Sequence, residues 1–246
     1  AGMDAETAAL FPAEFQESPL GLIPKGWEVG SILRQVDLLS GGTPKTDVQS
    51  YWSGEIPWAS AKDVSQCCEA FLIATERTIT KRGLEESSTK VIPAHATVVV
   101  ARGATTGRLT MFGHNIAMNQ TCYGLQSKAG APFSLYCHAR HFIDRMVHAA
   151  HGSIFNTITT STFETTNVLL APNSLLQLFD ERVAPLFRRI HFNLHESRIL
   201  LALRDTLLPK LLSGELRVEA AERELAEATC KDSLHVPRKG GREVVA

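Results

Sequence analysis

The chain has 246 residues, a formal net charge of −1, 44% hydrophobic and 21% charged side chains, which excludes a largely disordered chain and suits one sizeable domain with an appended element, or two small domains. The longest apolar runs, Val98 to Ala101 and Ile199 to Leu203, fall far short of the roughly 20 residues of a membrane-spanning helix. Acidic Asp4 and Glu6 precede any basic residue, the wrong charge for a secretory signal, and five cysteines without a C-x-x-C pair suit reduced thiols, so a cytoplasmic protein is expected.

In chain order, residues 1–24 are acidic, proline-containing and weakly periodic, and residues 1–20 are expected to form an arm or linker. From Trp27 to about Leu170 short segments are punctuated by Gly, Pro and Thr, as at Gly41-Gly42-Thr43-Pro44, Ile92-Pro93 and Arg102-Gly103. Thr97 to Ala101, Leu109 to Phe112 and Asn167 to Leu170 are rich in β-branched or aliphatic residues and predict strands, and a helix is expected from Ser134 to Ala150. The whole predicts an α+β fold, a mixed globular domain over 21–172.

The character changes at Ser174. Leu175, Phe179, Val183, Leu186, Ile190, Leu194, Leu201, Leu208 and Leu211 recur at three to four residue intervals, a helical period over 173–218 with Ser174 as N-cap. Pro185 should kink or divide this helix, Pro209 should disturb its last turn, and Gly214 should stop it. Its apolar stripe needs a partner, and polar Asn193, Ser197 and Arg204 would fix register in an antiparallel coiled coil; the alternative is packing on the chain's own domain. Residues 219–246 balance acidic against basic side chains and read as a tail.

Charge is uneven along the chain. Residues 90–155 hold Lys90, Arg102, Arg108, Lys128, Arg140 and Arg145 against Asp144 alone, the kind of local surplus that phosphate contacts require, though a solvated basic face would look the same. The loop Arg102-Gly-Ala-Thr-Thr-Gly-Arg108 lacks the lysine of a nucleotide-binding loop. It suits either a turn that shows Arg102, Thr105, Thr106 and Arg108 to DNA or a purely structural turn. The pairs His138/His141, His148/His151 and His191/His195 share helix faces, but Cys137 is their only obvious further metal ligand. No nucleophile elbow or zinc-protease signature appears. The aromatic cluster Tyr51-Trp52-Ser-Gly-Glu-Ile-Pro-Trp58 could stack on bases, and the reading favoured is that of core anchors.

These residues also carry a resemblance. Gly21-Leu-Ile-Pro-Lys-Gly-Trp27, Gly42-Thr-Pro44, Tyr51 to Trp58, Asp63, Thr80-Lys-Arg-Gly-Leu84, Val91-Ile-Pro93, Ala101 to Arg108 and Asn119-Gln120 resemble, in order, a target recognition domain of type I restriction-modification specificity (S) subunits. Leu203-Arg-Asp-Thr-Leu-Leu-Pro-Lys-Leu-Leu-Ser-Gly-Glu-Leu216 is similar to the end of that family's conserved helical region. After Ala171-Pro172 the pattern departs, because Asn173-Ser-Leu-Leu-Gln177 stands where the family has a second proline and a Glu-Gln pair.

The resemblance implies a recognition domain followed by a long helix, one unit where a complete subunit has two. Asp4 to Phe15 resembles the joint between such units, so a C-terminal half or a stand-alone half is expected. It implies a non-catalytic chain without cofactor or metal, whose partners are double-stranded DNA, modification (methyltransferase) subunits, a restriction subunit indirectly, and a second half or second copy along the helix. Modification subunits would bring S-adenosylmethionine. Lys45, Lys62, Arg102 and Arg108 are expected at phosphates or guanines, and Thr43, Thr105, Thr106, Asn119 and Gln120 at bases or backbone. Two other classes stay open: an interaction scaffold that has lost DNA reading, and a metalloenzyme acting through the histidine pairs.

Overall fold

The computed structural model describes residues 3–149 and 157–216, and the expected tail over 219–246 and the His148 and His151 side chains lie outside them. The chain divides into two compact units, one reaching Phe192 and the other starting at Asn193. In chain order the elements are α1 (Ala5–Ala8), β1 (Phe15–Gln16), β2 (Ile23–Pro24), β3 (Glu28–Ser31), β4 (Val36–Ser40), β5 (Trp52–Ala59), α2 (Ala61–Gln66), β6 (Phe71–Leu72), β7 (Arg77–Ile79), α3 (Lys81–Glu85), β8 (Val91–Ile92), β9 (Thr97–Val100), β10 (Leu109–Phe112), β11 (Ile116–Met118), β12 (Cys122–Ser127), α4 (Pro132–Ala149), α5 (Thr160–Thr165), β13 (Asn167–Leu170) and α6 (Asn173–Leu212). The expected mixture of short strands and one long final helix is therefore present; the three anticipated strands and the helix expected from Ser134 lie within a residue or two of their expected bounds, whereas the long helix ends at Leu212 rather than at 218.

Two sheets form the body. A five-stranded sheet has the order β4-β12-β9-β10-β6 and a four-stranded sheet the order β7-β5-β11-β8. The chain passes between them repeatedly, from β8 to β9 and from β11 to β12, so neighbours in sequence serve different sheets. Strand β9 explains why its sequence is apolar without alternation. Val98 and Val100 pack with Ala59, Ile92, Phe112 and Met118, while Val99 points to the other side among Leu135, Ala139, Phe142 and Phe163. With both faces covered, a period-two strand favours apolar residues at successive positions, as at Val98, Val99 and Val100, and all four residues of β9, Thr97 included, are buried.

Helix α4 starts at Pro132, whose missing N–H costs nothing in a first turn. Its cap comes from far away. The Asp180 carboxylate on α6 accepts hydrogen bonds from the N–H groups of Phe133 (2.7 Å) and Ser134 (2.9 Å), satisfying two of the donors that a helix start leaves orphaned. Arg182, two residues on, holds the Asp4 carboxylate and the Thr7 hydroxyl, so part of the expected arm is docked.

Helix α6 runs unbroken through Pro185 and Pro209, which corrects the expectation of a division at Pro185 and a disturbed last turn at Pro209. Proline removes one N–H, and at position 185 the orphaned carbonyl belongs to exposed Glu181, where water can serve it. The start is also corrected: Leu175 and Leu176 donate to the Pro172 carbonyl (3.0 and 3.1 Å), so Ser174 lies inside the first turn. Gly214, with φ +75°, follows the helix end as expected, its N–H on the Leu211 carbonyl.

The face of α6 packed on the domain is not the expected stripe. Asp180, Ala184, Phe187 and His191 face inward, with Phe187 stacked on Phe133 at 4.6 Å and His191 4.9 Å from the Phe71 ring. Stripe members Phe179, Leu186 and Ile190 stay exposed.

Candidate nucleic-acid interface

Four loops meet where β4, β5, β9 and β11 run out. The Gly42 N–H donates to the Met118 carbonyl (2.9 Å), the Asn119 N–H to the Ala59 carbonyl (3.0 Å), and the Ala101 N–H to the Thr121 carbonyl (2.8 Å). The loop after β4, the start of α2, the loop between β9 and β10, and the β11–β12 link are thus bonded to one another in series. Thr43 and Gln120, 77 residues apart, share a side-chain hydrogen bond at this point. The approach is so close that a Cβ on Gly41 would overlap the carbonyl oxygens of Met118 and Asn119; only glycine fits.

The two buried indoles hold the first of these loops. Trp58 Nε1 donates to the Gly42 carbonyl and Trp52 Nε1 to the Lys45 carbonyl, both at 3.1 Å. Tyr51, Trp52 and Trp58 are buried, so they are core anchors, and through their polar edges they also fix the backbone that carries Thr43 and Lys45.

The Ala101–Arg108 loop closes a β9–β10 hairpin, with the Val100 N–H on the Arg108 carbonyl (2.8 Å) and the Gly107 N–H on the Val100 carbonyl (2.9 Å). Gly103 and Gly107 take φ +98° and +90°, a backbone region that side chains resist. The Thr106 hydroxyl turns back onto the Gly103 carbonyl (2.7 Å), whereas Arg102, Thr105 and Arg108 are exposed. Among the described residues neither arginine, nor exposed Lys45, has an ion-pair partner.

Lys62 differs. It sits in the first turn of α2, its ammonium 2.7 Å from Glu76, whose carboxylate raises the lysine pKa. An exposed pair of this kind is weak, so Lys62 can exchange Glu76 for another anion at small cost. Asn119 is turned inward, its Oδ1 accepting from the Thr121 N–H and hydroxyl; it shapes the link that presents exposed Gln120.

Of the nine expected residues, Thr43 and Gln120 are in direct contact; Lys45 and Asn119 are their near neighbours in the chain, the helix that carries Lys62 is tied in through the Ala59 carbonyl, and the loop with Arg102, Thr105, Thr106 and Arg108 through the Ala101 N–H. The basic stretch read from sequence does not hold together. Lys128 donates to the Leu33 carbonyl and lies 3.8 Å from Asp37, at the far end of β12 from the loops. Sequence reading missed Arg77, exposed on β7 opposite Trp58, its guanidinium carbon 3.4 Å from the Trp52 ring centroid. Only the strand pairing could have revealed it. Among the described residues no three His, Cys, Asp or Glu side chains gather as a metal site, and no helix there is long and apolar enough to cross a membrane.

Comparisons with known proteins agree with this architecture. The family model of the type I restriction modification DNA specificity domain matches residues 24–174. The chain is 31% identical over 117 residues to the type I restriction enzyme MjaIX specificity subunit of Methanocaldococcus jannaschii, covering 48% of this chain and 27% of that protein. It is 25% identical over 221 residues to the HindI specificity subunit of Haemophilus influenzae, covering 86% and 48%. The chain spans about half the length, or less, of these curated relatives. Among solved structures, the HsdS subunit from Thermoanaerobacter tengcongensis aligns with a TM-score of 0.51 at 14% identity over 85% of this chain and 49% of that one. The S subunit of a type I restriction-modification system from M. genitalium aligns with a TM-score of 0.54 at 14% identity over 76% and 46%. Identities this low speak for the fold alone.

Proposed function

The chain belongs to the family of type I restriction modification DNA specificity domains, and from that premise we propose that it reads duplex DNA as one half of a specificity subunit. The observation that carries this reading is the meeting of four loops around Thr43 and Gln120, flanked by Lys45, Arg102 and Arg108, which have no ion-pair partner among the described residues. Cations of this kind neutralise phosphates and release condensed counterions, while short polar side chains between them reach base edges.

In this reading residues 21–172 are the recognition domain, 173–218 the spacer helix and 219–246 a tail. The exposed stripe of α6 that includes Phe179, Leu186 and Ile190 pairs with a second half or second copy as an antiparallel coiled coil, and the helix docks modification subunits. Those subunits methylate, a restriction subunit cleaves, and this chain directs both without chemistry of its own. Two identical halves related by a twofold axis would read a split, palindromic site. A cytoplasmic setting follows from that role.

The test is light scattering on the chain alone and with a modification subunit, followed by selection from a randomised duplex pool at low salt. A dimer that binds the modification subunit and enriches a split palindrome supports the reading. Binding to the modification subunit with no enriched sequence would replace it with an interaction scaffold.

A further inference from the structure

We propose that Arg77 is a DNA contact that the loop residues do not supply, a guanidinium fork held on the Trp52 ring and offered to a paired acceptor on the duplex. The inference rests on the DNA-reading function proposed above and adds a residue to it.

Its mounting is built by the pairing of β5 with β7. The register sets Arg77 opposite Trp58, and across an irregularity in which Ser53 takes φ +61°, Trp52 and Ile56 both pair with Ile79. The two indoles meet edge to face with centroids 5.2 Å apart. Arg77 lies over both, with its guanidinium carbon 3.4 Å from the Trp52 centroid and 5.9 Å from that of Trp58. Stacking occupies one face of the guanidinium and leaves the N–H groups, which lie in its plane, pointing outward.

Among the described residues nothing uses those donors. Among the described residues no carboxylate forms an ion pair with Arg77, although nearby cations are taken: Lys62 by Glu76, Lys81 by Glu85 and Arg82 by Glu86. Arg77 is nonetheless exposed. A long cation kept in place by a ring and left without an anion has little of its side-chain entropy still to lose on binding, which favours directional, bidentate recognition.

Its neighbours place this fork beside the four-loop site. The Trp52 and Trp58 indoles that carry Arg77 are the same two that hydrogen-bond the Lys45 and Gly42 carbonyls. Arg77, Lys45 and the Thr43–Gln120 pair therefore share one rigid support. The acceptors in reach of such chemistry are the O6/N7 pair of a guanine or two oxygens of a phosphate.

The experiment measures binding of the full chain to a randomised duplex pool at several salt concentrations, for the wild type, Arg77→Ala and Arg77→Lys, with a urea melt confirming that both variants fold. We expect roughly a tenfold or greater loss for Arg77→Ala, and a loss for Arg77→Lys as well, since lysine keeps the charge but not the fork. A relaxed preference at one base position assigns the contact to guanine. A uniform loss with a salt slope lowered by about one assigns it to phosphate. Folded variants that bind and select like the wild type overturn the Arg77 assignment alone, and a wild type that binds no duplex overturns the DNA-reading function together with it.

Discussion

Asp180 and Ser134 stand 46 residues apart in sequence and 2.9 Å apart in space, carboxylate oxygen to backbone nitrogen. The same oxygen holds the Phe133 N–H, so a side chain of the longest helix caps the first turn of another. Beside this cap the Phe133 and Phe187 rings stack nearly parallel. The joint between the part of α6 up to Phe192 and the sheet domain is thereby fixed by direction as well as by apolar packing.

Replacing Asp180 by alanine leaves two helix N–H groups without their acceptor and is expected to lower stability by about 1–3 kcal/mol. Asp180→Asn keeps one carbonyl oxygen and recovers part of that loss. Urea unfolding read by far-ultraviolet circular dichroism measures both. An alanine variant as stable as the wild type would mean that the cap contributes nothing.

Neutralising Arg102 and Arg108 together removes two exposed cations from the β9–β10 hairpin loop without touching the core. The slope of log affinity against log salt is expected to fall by up to about 2, close to 0.9 for each phosphate that is no longer neutralised. An unchanged slope and affinity would take this loop out of the interface and favour the scaffold reading.

Gly41→Ala places a Cβ into the carbonyls of Met118 and Asn119. Backbone cannot yield there as a flexible side chain would, so the substitution is expected to cost about 1–3 kcal/mol and to displace Thr43 from Gln120. The expected readouts are a lower urea midpoint and weaker sequence enrichment. A variant with wild-type values in both would show that the loop tolerates a shift.

His138 lies half-buried beside Phe142 and Leu176. Burial first, and the neighbouring His141 second, hold its pKa below the ordinary 6.5. The unfolded imidazole takes up a proton near that value and the folded one only at lower pH, so the unfolded state binds more protons in between. Stability should fall as pH drops through about 6.5 and level off below the folded pKa. His138→Gln should make the urea midpoint less steep between about pH 7 and 5, with His95, also lowered by burial, retaining its share. An equal slope in the variant would assign the acid sensitivity elsewhere.

Much of the site was legible because its residues are marked by local chemistry. Gly41-Gly42-Thr43-Pro44 and Gly103 to Gly107 are turn sequences whatever surrounds them, and the candidate loops could be placed from these and from the resemblance of their order. Arg77 was not legible, because nothing in Thr75 to Thr80 distinguishes a stacked arginine from a solvated one. The apolar period of α6 was visible at once, but the face that packs on the domain, Asp180, Ala184, Phe187 and His191, was not, since a carboxylate and a histidine do not register as core.

By itself the sequence determined what depends on neighbours a few residues away. The β9 strand, the glycine turns and the apolar period of α6 follow from steric preference and hydrophobic spacing, which act locally. Only the tertiary structure decided which loops meet, that Lys128 parts from Arg102, and that Asp180 caps α4. Those outcomes depend on strand order and on pairings between residues far apart in the chain, where many registers satisfy the same local pattern and packing of the assembled sheets selects one.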